Sequence, residues 1–271
     1  ASRADLSAFL VELYEVGMGV PMCGGVLPSI NTRLDAAIIA FQLDHAMAKI
    51  VIVDREFMPL MQEALALASV TPLLIQYDDP EFTDPTPVAQ AIDYDAFVAS
   101  GDPAFAWLIP KDEWDAISIN YTSGTTGDPK GVVSHHRGAY LLAQGNALTA
   151  SMPKHAVYLW TLPMFHCNGW CFPWTLSAII GTHVCLRQVR AEPIWAALSD
   201  EGVTHLCGAP IVMSLMISAP PEVKREFHQT VQFFTAAAPP PEKLLAEMKE
   251  AGFEVTHLYG LTETYGPAVV N

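Results

Sequence analysis

The chain has 271 residues, 51% of them hydrophobic and 16% charged, enough to bury a sizeable core in one large domain or two lobes and too apolar for a disordered tail. Its formal net charge of -15 argues against a nucleic-acid or anionic-membrane partner, because both require a basic surface, and any phosphate-bearing ligand must therefore find local cations. Five scattered cysteines (Cys23, Cys167, Cys171, Cys185 and Cys207) in mostly apolar surroundings suit a reducing compartment better than a disulfide framework, so the expected location is cytoplasmic.

Taken in chain order, short β-branched runs alternate with amphipathic stretches of helical period. The first predicted element is a helix over Leu34 to Met47 opened by Thr32. Lys49 to Asp54 ("KIVIVD") follows as a buried strand, Met58 to Ala68 as a helix and Pro72 to Tyr77 as a strand. Asp78 to Asp115, rich in acids and prolines, reads as surface connection with one short helix near Asp95 to Ser100. Beyond it, strands are predicted at Ala116 to Asn120, Val157 to Leu162, His183 to Arg187, Thr204 to Gly208, Val231 to Thr235 and Glu254 to Tyr259. Between them lie helices at Gly138 to Ala150, Trp170 to Ile180, Pro193 to Asp200, Ile211 to Ile217 and Pro241 to Ala251, the last stopped by Gly252.

The pattern gives an α/β fold of mostly parallel, doubly wound sheets with helices on both faces. No run of about eighteen apolar residues is present, so no membrane span is expected. His166, Cys167 and Cys171 lack a second Cys/His pair at zinc-site spacing, so the two cysteines read as buried thiols rather than part of a metal centre.

In open sheets of this class, ligands bind at the carboxyl ends of strands, and four polar segments follow predicted strand ends: "TSGTTG", "MFHCNGW", "AAAPPP" and "GLTET". The first belongs to "YTSGTTGDPKGVV", Tyr121 to Val133. It is not the P-loop of nucleotide hydrolases, because Pro129 stands where that motif has its second glycine, no hydroxyl follows Lys130, and "GVVS" reads as a strand. Its ingredients still specify phosphate. Gly124, Gly127 and Gly131 let backbone amides turn inward, Thr122, Ser123, Thr125 and Thr126 can donate from hydroxyls, and Lys130 supplies a mobile positive charge.

"YTSGTTGDPKGVVSHH" resembles the phosphate-loop signature of the adenylate-forming enzymes, the superfamily of acyl-CoA synthetases, luciferases and peptide-synthetase adenylation domains. "YGLTET", Tyr259 to Thr264, agrees in kind and order, and the likeness runs from about Val20 to the end. "LPMFHCNGWCFPW", "NTRL" and "APPP" look most like acyl-CoA ligases of short and medium acids such as methylthiopropionate. The resemblance implies that a carboxylate and ATP give acyl-AMP and pyrophosphate, and that coenzyme A then takes the acyl group. A luciferase-like oxygenase or an amino-acid-activating domain is the more distant alternative.

By the same resemblance, Glu263 would hold Mg2+ and Thr262 would hydrogen-bond the α-phosphate. Tyr259 would offer its ring to adenine, with Gly260 and Leu261 beside it, and the backbone of Ala236, Ala237, Ala238 and Pro239 would form the other side of that slot. His166 would meet the carboxylate, and Trp170, Gly208 and Ala209 would line the acyl pocket. Relatives often carry glycine where Ala236 and Ala237 stand. An amino-acid-activating domain needs an acid near "LPMFHCNGW" to pair with the substrate ammonium, and that segment has none. The resemblance further implies that residues 1–271 are an incomplete N-terminal, ATP- and acyl-binding domain without a C-terminal lid domain, which leaves a non-catalytic nucleotide-binding fragment as the competing expectation. Expected partners are the carboxylic acid and coenzyme A, with room for a homodimer.

Overall fold

The structure is a computed structural model that describes residues 2–6, 11–82, 91–122 and 129–271. It divides into two compact units, Ala1–Arg137 and Gly138–Asn271.

The first unit runs through β1 (Ser2–Leu6), α1 (Val11–Met22), β2 (Leu27–Pro28), α2 (Ala36–His45), β3 (Ala48–Asp54), α3 (Met58–Leu67), β4 (Leu73–Tyr77), β5 (Ile92–Asp93), α4 (Tyr94–Ala99), β6 (Ala116–Thr122) and β7 (Lys130–His135). One sheet has the order β1-β3-β4-β5 and is parallel throughout, and a second has the order β2-β6-β7. Successive side chains of β3 face opposite ways. Val51 and Val53 pack with Ile39 and Leu43 of α2 and Met58, Met61 and Ala64 of α3. Ile52 packs on the other face with Val16 and Val20 of α1 and Tyr94 of α4. A strand apolar on both faces is stable only when helices cover both, and here they do.

Two local departures from the expected elements have physical causes. Helix α2 starts later than expected, because Asn31 Oδ1 accepts from the Arg33 amide at 2.9 Å and turns the chain early. Asp35, not Thr32, then caps the helix by accepting from the Ile38 amide at 2.9 Å. Asp93 caps α4 in the same way, accepting from Ala96 at 2.8 Å. Before the first expected element the chain already forms β1, α1 and β2. Helix α1 carries Gly17, Gly19 and Pro21, which lower helix propensity, and forms because Leu13, Val16, Gly17 and Val20 bury one face at helical spacing.

The second unit follows with α5 (His136–Thr149), which begins at the boundary, β8 (Val157–Leu159), α6 (Cys167–Trp170), α7 (Phe172–Ala178), β9 (Thr182–Val184), α8 (Ala191–Asp200), β10 (His205–Cys207), α9 (Pro210–Ile217), β11 (Val231–Thr235), α10 (Glu242–Glu250), β12 (Phe253–Leu261) and β13 (Gly266–Val270). Its sheet has the order β13-β12-β11-β10-β8-β9. One face is an apolar layer in which Leu206, Phe233 and Phe253 meet Ile194 and Leu198 of α8, Met213 and Met216 of α9 and Met248 of α10. On the other, Tyr158 stacks on Phe172 of α7 at 4.9 Å, and His205 Nε2 lies 3.3 Å from the Ala150 carbonyl at the end of α5.

Among the described residues, eight of ten strand pairings are parallel, as expected. The exceptions are β6 with β7 and β12 with β13. Four expectations are corrected in this unit: the strand expected over Val157 to Leu162 ends at Leu159, that expected over His183 to Arg187 spans Thr182–Val184, and two others have a local cause. The helix expected from Trp170 begins at Phe172, with Pro173 in its first turn, because the residues before it turn the other way. The strand expected to stop at Tyr259 runs on to Leu261, where β13 gives it a partner.

Candidate functional site

In the first unit, β6 and β7 bring Thr122 opposite Lys130 as their last facing pair. Ser123, Gly124, Thr125, Thr126 and Gly127, which carry most of the expected phosphate contacts, lie outside the described residues. Lys130 is exposed and begins a strand, not a helix. At the base of this pair the Tyr121 hydroxyl lies 2.9 Å from His45 Nδ1 and also reaches the Gln42 carbonyl at 3.4 Å. Burial pushes the Tyr121 phenol up to about 12, so it stays protonated and donates. No linear signal points to the His45 contact, since the two residues are 76 apart.

The other candidate residues are in the second unit. Strands β8, β10, β11 and β12 are parallel neighbours, so the segments after them emerge along one edge of the sheet. Thr161 Oγ1 donates to the Cys207 carbonyl at 2.7 Å and ties two of these strand ends together. "MFHCNGW", Gly208 with Ala209, Ala236 to Pro239 and Thr262 with Glu263 thus share an edge, as three of the four polar segments were expected to.

The segment after β8 is conformationally unusual. Cys167, Asn168, Gly169, Trp170 and Cys171 have successive φ values of 44, 42, 57, 52 and 68°, so α6 is a left-handed turn. Each non-glycine residue there costs roughly 1–2 kcal/mol, and surrounding contacts must offset that cost. Gly169 is needed at the centre, since a Cβ would lie 2.7 Å from the Trp160 ring. Asn146 Nδ2 donates to the Trp170 carbonyl at 2.8 Å, and Cys171 Sγ donates to the Ala139 carbonyl at 3.2 Å.

His166 immediately precedes this turn, and its carbonyl accepts from the Gly169 amide at 2.9 Å. Its side chain is solvent-accessible, yet enough protein surrounds the ring to hold the imidazole below the ordinary histidine value by desolvation. A ring that a ligand can reach and that stays uncharged suits contact with a carboxylate through hydrogen bonding. On the other side of the turn, Cys167 Sγ donates to Thr262 Oγ1 at 3.5 Å. Burial raises the Cys167 thiol, with Thr262 opposing and Glu263 adding to the rise. The segment bearing His166 and the motif bearing Thr262 and Glu263 are therefore in contact. Cys167, read from the sequence as part of the core, is the residue that joins them.

Thr262 to Thr264 form a single 3-10 turn between β12 and β13. Thr264 Oγ1 accepts from the Leu261 amide at 2.9 Å, and its one proton is within reach of the backbone carbonyls of Leu261 and Gly266 at 3.0 and 2.8 Å. Gly260 is required beneath it, because a Cβ would collide with the Gly266 carbonyl and lie 3.1 Å from Pro267 Cα. Glu263 is exposed and has no ion-pair partner among the described residues. No cluster of three or more potential metal ligands occurs among them. One free carboxylate nevertheless fits Mg2+, which takes one or two protein carboxylates and fills its octahedron with phosphate oxygens and water.

Tyr259 is 55% exposed, with its ring available for stacking. Ala236 to Pro239 follow β11, and Ala237 has φ of 72°, the left-handed region in which glycine is unstrained. Gly208 is buried between β11 and α9, where a Cβ would lie 3.0 Å from Phe233 and 3.1 Å from Val212, so its role is packing as well as position. Ala209 is exposed at the start of α9. Among residues not anticipated, Asn146 had a readable signal: it is a polar residue seven after Ala139 on the face that α5 buries.

A family model described as AMP-binding enzyme matches residues 9–271, reaching further towards the start than Val20. The acetate/butyrate–CoA ligase AAE7 of Arabidopsis thaliana, named as peroxisomal, is 47% identical over 279 residues, taking in 98% of this chain and 49% of that protein. The acetate–CoA ligase CCL3 of Humulus lupulus is 46% identical over 95% of this chain and 48% of that protein. The chain spans about half the length of these curated relatives. Among solved structures, the inhibitor-bound N-terminal domain of FACL13 from Mycobacterium tuberculosis matches with a TM-score of 0.84 at 28% identity, over 99% of this chain and 65% of that one.

Proposed function

The chain belongs to the AMP-binding enzyme family, and on that premise we propose that it is the ATP- and acid-binding part of an AMP-forming acyl-CoA ligase. The observation that carries this reading is the Cys167–Thr262 contact, which sets the segment of His166 against the motif of Thr262 and Glu263. In the reaction, a carboxylate oxygen attacks the α-phosphorus of ATP, the bond to the bridging oxygen breaks, and pyrophosphate leaves. Coenzyme A thiolate then adds to the acyl carbon and AMP departs.

The first step brings an anion to a phosphorus already ringed by negative oxygens, so neutralisation and alignment dominate catalysis. Lys130, Thr122 and residues 123–127 bind the polyphosphate, and Thr262 holds the α-phosphate. Glu263 would hold Mg2+, which supplies charge neutralisation on the phosphate oxygens. Tyr259 and the backbone of Ala236 to Pro239 receive adenine. His166, neutral near pH 7, orients the acid carboxylate, and Trp170, Gly208 and Ala209 bound its tail.

The acetate/butyrate–CoA and acetate–CoA ligases among the relatives favour short monocarboxylic acids, and the absence of an acid from "LPMFHCNGW" disfavours α-amino acids. Coenzyme A is the second substrate in this reading. No described helix is long and apolar enough to cross a membrane. Two measurements test the proposal. Mg-ATP is expected to raise the melting temperature of the chain, and acetate, propionate and butyrate are expected to support ATP–pyrophosphate exchange better than leucine or phenylalanine. No thermal response at millimolar Mg-ATP, or amino acids outperforming the short acids, overturns it.

A further inference from the structure

We infer that Asn146 is a positioning residue for the acid site: from α5 it holds the left-handed turn Cys167–Cys171 in place and thereby fixes His166. The inference rests on the role for His166 proposed above. Asn146 is 3% exposed and lies on the buried face of α5 with Ala139 and Ala143. Alanine fills that face at the other two positions, so packing alone does not call for a carboxamide. A buried amide is costly unless its donors are used, and both directions of use lead to the turn.

Asn146 Nδ2 lies 2.8 Å from the Trp170 carbonyl and 3.4 Å from Thr175 Oγ1. Thr175 Oγ1 in turn donates to the Cys171 carbonyl at 3.1 Å. One side chain thus secures the last two residues of the turn and the first turn of α7. The Ala139 carbonyl, two helical turns earlier on the same face, takes the Cys171 thiol. At the opposite end the turn is anchored by Cys167 to Thr262, and in the middle Gly169 rests on Trp160. Remove the Asn146 donor and the Trp170 carbonyl loses its partner in a segment whose left-handed residues favour relaxation. The Gly169 amide, which bonds the His166 carbonyl, then releases His166.

Asn146→Ala and the near-isosteric Asn146→Asp, which loses the donor without opening a cavity, test this in the full chain. Hydrogen exchange at the Gly169 and Cys171 amides is expected to accelerate roughly tenfold or more, while amides of β10 and β11 stay unchanged and report an intact fold. His166, titrated by NMR, is expected to move up towards the ordinary histidine value as its surroundings loosen. Propionate, measured by calorimetry with AMP and Mg2+ present, is expected to bind roughly tenfold more weakly, with little change in Mg-ATP affinity. Unchanged exchange at Gly169 and Cys171 in both variants overturns the inference, as does unchanged propionate affinity. A parent chain that binds no propionate removes the ligase reading instead, and the exchange rates and the His166 titration then decide the hold of Asn146 on the turn by themselves.

Discussion

The two antiparallel strand pairs, β6 with β7 and β12 with β13, each carry one of the nucleotide motifs, but their glycines do different work. A Cβ on Gly131 in the first unit would meet only side chains: Ile119 Cγ2 at 3.2 Å, Tyr121 at 3.4 Å and His45 at 3.5 Å. On Gly260 in the second unit it would collide with the Gly266 carbonyl, and backbone cannot rotate aside as a side chain can. The first pair therefore has neighbours that can give way at its glycine. The second depends on how closely two backbones approach, and on the left-handed turn that Cys167 joins to it.

The sharpest test of that contrast is a pair of alanine substitutions. Gly260→Ala is expected to destabilise the fold by more than about 4 kcal/mol, and Gly131→Ala by no more than about 1 kcal/mol, as read from denaturant midpoints. Equal costs would erase the distinction between the two pairs. At the level of binding the proposed function expects the two motifs to behave alike, because it assigns phosphate charge to both. Lys130→Ala and Glu263→Gln are each expected to weaken Mg-ATP roughly tenfold or more, with melting temperatures in the absence of nucleotide nearly unchanged. A variant with parental affinity takes its residue out of the phosphate site.

A smaller effect separates the units by pH. Behind the left-handed turn, Trp160 Nε1 donates to His183 Nδ1 at 3.0 Å, and burial pushes the His183 imidazole down to about 4. Because this folded value lies below the unfolded one near 6.5, the contribution is fully present above pH ~6.5 and is lost as pH falls towards ~4. Melting temperature should decline over that window, and less steeply in His183→Gln. An identical pH profile for the variant would show that the ring does not report on the second unit. The smallest effect is a gain: Ala237→Gly relieves the left-handed strain at φ of 72° and, after the greater unfolded-state freedom of glycine, should stabilise by about 0.5 kcal/mol. A loss of stability would mean that Ala237 is not strained.

The sequence by itself determined the fold class and most strands, because their apolar residues repeat with the period of the structures they form: "KIVIVD" could only be a strand covered on two faces. It also singled out Lys130, whose string of hydroxyls, glycines and a cation suits phosphate, whereas His166, Thr262 and Glu263 became candidates only through the resemblance of their strings to the adenylate-forming enzymes. The tertiary structure alone decided that α1 forms despite two glycines and a proline, that residues after Leu162 wind left-handed, and that Cys167 meets Thr262 across 95 positions. It likewise gave Gly260 and Asn146 their purposes. Those features arise from close approach between segments distant in the chain, and close approach leaves no periodicity and no composition signal for a linear reading to find.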